Sequence, residues 1–194
     1  MYRRMAAWGL GIIISLMPPH LAANELVELS EQAKILIMDY SSPLLAAYEQ
    51  TYASGNLNAV ADICRSKTAE IADWLAHDGW TIRRITHTAL NKSNRPDYTE
   101  NKVLNDFEQK RTQGWNIDQL AWYKLDETGN QSEFRYIKAF TLEERCMTCH
   151  SARPRADNSG VRLGAYALKR IETKNYFPEE TKLDQNKTLE EFEE

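Results

Sequence analysis

The chain has 194 residues, a formal net charge of −4, a hydrophobic fraction of 42% and a charged fraction of 27%. That length suits one domain. The acidic balance excludes nucleic acid as a partner, because binding a phosphate backbone needs a basic face or stripe.

Met1-Tyr2-Arg3-Arg4 is basic, and the apolar run from Met5 to Met17 is too short to cross about 30 Å of hydrocarbon. It reads as a signal peptide over residues 1–23, with Leu21-Ala22-Ala23 supplying small residues for cleavage near Ala23, before Asn24. Cleavage removes two basic residues and no acidic one, so the formal charge moves from −4 to −6. The expected organisation is leader 1–23, one domain over 24–177 and an acidic tail over 178–194, and the expected location is the periplasm.

From Glu25 to Tyr52 apolar residues recur at helical spacing, among them Leu29, Ala33, Leu36, Tyr40, Leu44 and Tyr48, with Pro43 inside the pattern. Ser54-Gly55-Asn56 breaks this helix. A second helix is expected from Leu57 to His77, ending at Asp78-Gly79, with Val60, Cys64, Ile71 and Leu75 on one inward face. Trp80 to His87 alternates and is rich in β-branched residues, which predicts a strand, and a polar loop follows over Asn91 to Asp97. Glu100 to Arg111 reads as a short helix buried through Val103, Leu104 and Phe107. Gln119–Leu125 and Glu133–Phe140 read as a hairpin around Asp126–Asn130, and Val161–Ile171 as a last strand. Two helices followed by strand, helix, hairpin and strand make an α+β domain with an antiparallel sheet.

Between the last two strands stands Cys146-Met147-Thr148-Cys149-His150. Two thiols three positions apart, with histidine directly following, match the spacing that attaches one haem c: each sulfur reaches a vinyl group, and the imidazole becomes the proximal iron ligand. One helical turn, preceded by Thr141-Leu142-Glu143-Glu144, is expected to carry the motif. A zinc site would need a second cluster of ligands, which the sequence does not supply.

Of the three cysteines, Cys64 is then left to explain. It is the first candidate for the distal iron ligand, with Arg65 and Lys67 nearby to favour thiolate, and the competing reading is an inert buried thiol. His87, read as sharing a strand face with Ile85, is the alternative ligand. His77 falls at a helix end, where a cation complements the dipole, and Met38 and Met147 read as packing residues. Arg83 and Arg84 are candidates for haem propionates, since a guanidinium fork matches a carboxylate, although one of two adjacent strand residues belongs on the other face. By the same alternation one of Trp122 and Tyr123 faces the core.

The stretches Ala59–Ala72 (AVADICRSKTAEIA), Gly79–Phe107 (GWTIRRITHTALNKSNRPDYTENKVLNDF) and Cys146–His150 resemble the single-haem c-type proteins with a PAS-like sheet. That family was once catalogued as a domain of unknown function, and it includes a photosystem II-associated haem protein and periplasmic haem sensor domains. The resemblance implies a haem held between helices and an antiparallel sheet. It also implies a distal cysteine at the position of Cys64 in some members and a histidine in others. The chain departs from the family in carrying Leu90-Asn91-Lys92 where Arg-Asn-Pro is usual, and His87 where an apolar residue is common.

A thiolate opposite histidine lowers the reduction potential of haem iron. The expected function is therefore redox or gas sensing, or low-potential electron transfer, through a redox partner or membrane-bound signalling protein. A second reading is an accessory subunit or homodimer docking through the long leading helix. An enzyme is not expected: a peroxidase would need an open iron position and a distal acid-base group, for which His87 is the candidate.

Overall fold

The computed structural model describes residues 19–142 and 163–174. The leader up to residue 18, the motif carrying Cys146, Cys149 and His150, and the tail from 178 lie outside the described residues.

Helix α1 spans Pro19–Tyr52, 34 residues, and runs through Pro43. Its buried side is Leu29, Ala33, Leu36, Tyr40, Leu44 and Tyr48, the stripe that spacings of three and four place on one side of a helix. Helix α2 (Leu57–Asp62) is capped by Asn56, whose side chain accepts from the backbone N–H of Ala59. A π-helical turn, Ile63–Lys67, joins it to helix α3 (Thr68–Leu75). The single second helix that periodicity predicts is thus three pieces.

After α3 the chain turns through Asp78 and Gly79, both with positive φ. Gly79 is required twice over, because its φ is +77° and a Cβ there would stand 2.1 Å from the backbone oxygen of Ile171.

Strand β1 is Trp80–Ile85, and helix α4, Tyr98–Thr112, follows. The N-terminus of α4 carries a capping box: Asp97 accepts from the Glu100 N–H while Glu100 reaches back to the Asp97 N–H. Strands β2 (Ala121–Thr128) and β3 (Gln131–Thr141) form a hairpin in which Thr128 faces Gln131. The loop is only Gly129-Asn130, tighter than the five residues expected, with φ +61° at Gly129, as a two-residue turn opened by glycine requires. Strand β4 is Leu163–Thr173.

The sheet order is β1-β4-β3-β2, antiparallel throughout. The α+β architecture, a long N-terminal helix beside an antiparallel sheet, is as read from the sequence. Each sheet face has its own core. Trp80, Ile82, Phe134, Tyr136 and Leu168 pack with α1 and α3. Ile85, Ile137, Ala139, Leu163, Ala165 and Ala167 pack with Val103, Leu104 and Phe107 of α4. Trp122 joins the second core and Tyr123 is exposed, as strand alternation demands. Among the described residues no helix is long and apolar enough to cross a membrane.

Candidate functional site

Cys64 is the second residue of the π-helical turn. Such turns are rare and recur at functional sites, because one extra residue redirects a side chain without ending the helix. No residue of the turn is buried and Cys64 itself is half-buried, whereas Val60, Ile71 and Leu75 are in the core. The inward face expected to include Cys64 is therefore interrupted at that residue.

The Cys64 carbonyl accepts from two side chains, Thr68 Oγ1 at 2.9 Å and Arg84 Nη2 at 3.4 Å. The Arg84 guanidinium also neighbours the hydroxyl of Tyr40, which α1 holds at 2% exposure. Burial pushes the Tyr40 hydroxyl above its ordinary value; the Arg84 guanidinium opposes that rise, and the nearby Cys64 thiol adds to it. Tyr40 stands edge-on to Tyr166, with ring centroids 6.0 Å apart, and Tyr166 packs against Phe140 at 4.6 Å. Gly164 makes room for that last ring, since a Cβ there would lie 2.6 Å from Phe140 Cζ.

These groups share one end of the sheet. Arg84 pairs with Tyr166 and Phe140 with Gly164, and at that end β3 stops at Thr141 while β4 begins at Leu163. Thr141, which precedes the expected helical turn, is the last residue of β3. In the sequence Cys146 follows Thr141 by five residues.

Arg83 points to the other face. It donates to the carbonyls of Ser93 and Arg95 and, at 2.5 Å, to Glu100 Oε2. Glu100 is 4% exposed and also faces Arg135, which pairs with Asp97. Of the two candidate arginines, the structure brings only Arg84 to Cys64.

His87 lies beyond β1, which ends at Ile85, so it does not share a strand face with that residue. It is exposed and lines a cavity of about 350 Å³ with Ala89, Arg95, Pro96 and Asn101, on the α4 side. His77 is exposed and its Nδ1 lies 3.1 Å from Asp78. Met38 is 61% exposed and does not pack in the core. Tyr40, Tyr166 and Phe140 are the residues that sequence reasoning missed as members of this site; Tyr40 had been visible only as part of an apolar stripe.

The family described as Tll0287-like matches residues 22–177. The chain belongs to the Tll0287-like family. A solved structure, the crystal structure of the cyanobacterial heme-protein Tll0287, is similar at 17% identity over 78% of this chain and 95% of that one, with a TM-score of 0.40. No curated protein matches the chain. In this Tll0287-like chain the half-buried Cys64, Arg84 and the aromatic pair Tyr166 and Phe140 lie toward the sheet end where β3 stops and β4 begins.

Proposed function

We propose that this chain is a periplasmic protein carrying one covalent haem c, acting in redox or gas sensing or in low-potential electron transfer. The observation that carries the reading is the Cys146-Met147-Thr148-Cys149-His150 motif, which lies in the sequence between β3 and β4. Family membership supports it, as does the description of the similar solved structure as a heme-protein.

The residues present fit such a group. Two thiols and an imidazole at attachment spacing supply thioethers and the proximal ligand. Cys64 supplies a soft donor at the same end of the sheet, and Tyr166 with Phe140 supplies an aromatic wall. When bound, haem supplies a one-electron iron couple and a site for small ligands. Cys146 and Cys149 would anchor the group, His150 and Cys64 would hold its iron, and a thiolate donor would favour a low potential.

Cys64 takes precedence over His87 because only Cys64 shares a sheet face with Arg84. For the same reason we read a carrier or sensor rather than a peroxidase: the residue that would act as distal acid and base is exposed on the α4 side.

The test is retention of the cofactor. After periplasmic expression and denaturation, haem is expected to stay with the polypeptide through acidified-solvent extraction, and to be lost from the Cys146→Ser, Cys149→Ser double variant. Complete extraction from the parent protein would contradict covalent attachment.

A second reading, an accessory subunit or homodimer, is favoured by α1. Ile35, Met38, Leu45 and Tyr52 are all exposed, and the last three follow at intervals of seven, a helical seam.

A further inference from the structure

The π-helical turn has no fully buried residue, and its packing rests on Ile63, half-buried against the core under α1. At Cys64 itself a bond from β1 ties the Ile63–Lys67 turn to the sheet: Arg84 Nη2 donates to the Cys64 carbonyl at 3.4 Å. Thr68 Oγ1, at 2.9 Å, serves the same carbonyl but belongs to the helix that continues from the turn, so it moves with the turn and cannot anchor it. Arg84 also neighbours the hydroxyl of Tyr40 of α1, whose ring is locked in the core at 2% exposure. The guanidinium thus stands where sheet, leading helix and π-helical turn come together. Its rigid fork can serve two acceptors in fixed directions, which a lysine ammonium on a flexible stem cannot reproduce.

The geometry points to Arg84 as a positioning residue for Cys64: oriented by the Tyr40 hydroxyl, it fixes the Cys64 backbone and so the direction in which the sulfur leaves the turn. This rests on reading Cys64 as the distal iron ligand and adds the device that sets how readily the sulfur is displaced. Groups that orient a ligand in this way typically change metal affinity 10–100-fold when removed. The role differs from a propionate contact, in which the arginine would act on the cofactor directly and the Tyr40 hydroxyl would be irrelevant.

The experiment is an imidazole titration of the ferric holoprotein, followed by absorbance, together with the electron paramagnetic resonance spectrum before imidazole is added. The proteins are the parent, Arg84→Met, Arg84→Lys, Tyr40→Phe and Cys64→Ala. Arg84→Met is expected to bind imidazole about tenfold more tightly than the parent and to broaden the low-spin signal into more than one species. Tyr40→Phe is expected to tighten binding by about threefold, the scale of one hydrogen bond, and Arg84→Lys to fall between the two. Should Arg84→Met fail to fold, Tyr40→Phe decides, because it keeps the ring and its packing. Parent-like affinity and spectra in folded Tyr40→Phe would overturn the inference, whether or not Arg84→Met responds. If Cys64→Ala still changes the spectrum in that case, the ligand reading stands without the positioning role; if Cys64→Ala is silent, both fall.

Discussion

Arg83 and Arg84 are adjacent on β1 and identical in chemistry, and the two faces of the sheet give them different tasks. On the α4 face Arg83 enters a closed network: Glu100 neutralises it, the carbonyls of Ser93 and Arg95 take further N–H groups, and Arg135 and Asp97 complete the charge balance. On the α1 face Arg84 meets neutral acceptors, the Cys64 carbonyl and the Tyr40 hydroxyl. The first setting joins α4 and its preceding loop to the sheet. The second brings a positive charge to the backbone of Cys64. A period of two residues is enough to separate scaffold from site.

The strongest way to break this contrast is to remove the scaffold charge. Glu100→Ala leaves Arg83 and Arg135 facing each other across a buried position and also removes half of the capping box, so it is expected to cost about 3–5 kcal/mol in denaturant unfolding. Once folded, its haem spectrum is expected to match the parent, since nothing on the α1 face has changed. A shifted spectrum at unchanged stability would erase the division of labour.

Gly79→Ala should cost less, about 1–3 kcal/mol, from a Cβ driven into the Ile171 carbonyl at positive φ. Thermal melts check it, and an unchanged melting temperature would show that the β1–β4 edge yields more easily than its geometry implies.

Asp97 sharpens the scaffold side further. Burial alone would raise its carboxyl, but the Glu100 N–H and the Arg135 guanidinium together hold it below the ordinary value of 3.8. A carboxylate depressed in the folded state stabilises fully above 3.8, and that stabilisation is lost as the pH falls below 3.8 through the folded-state pKa. Asp97→Ala is therefore expected to lose about 1 kcal/mol at neutral pH and to show a flatter decline of stability below 3.8 than the parent. Parallel acid profiles for the two proteins would remove Asp97 from the network.

The smallest effect is predicted on α1. Ile35→Lys with Leu45→Lys, both at exposed positions, should change stability by no more than about 0.5 kcal/mol. A fall in the solution mass seen by light scattering would bring the accessory or homodimer reading forward, and an unchanged monomer mass would retire the homodimer.

Much of the fold was legible because it rests on periodicity. The α1 stripe through Leu29, Ala33, Leu36 and Tyr40, the α4 face of Val103, Leu104 and Phe107, and the order of strands all follow from repeats of 3.6 and 2. The π-helical turn was not legible. One inserted residue between Val60 and Ile71 leaves a pattern that a continuous helix also satisfies, and only the backbone shows the shift. His87 was misjudged because alternation continues past Ile85 in the sequence while the strand pairing stops there. For Arg83 and Arg84 the alternation revealed that they would part, but choosing which faced Cys64 required Glu100 and Tyr40, distant in sequence, to be placed.

The central claim is that Cys64 is the distal iron ligand. The most direct measurement is the electron paramagnetic resonance spectrum of the ferric mature protein beside Cys64→Ala. The account predicts a low-spin thiolate signature that disappears in the variant; an identical spectrum from both proteins would contradict it and move the distal position to His87.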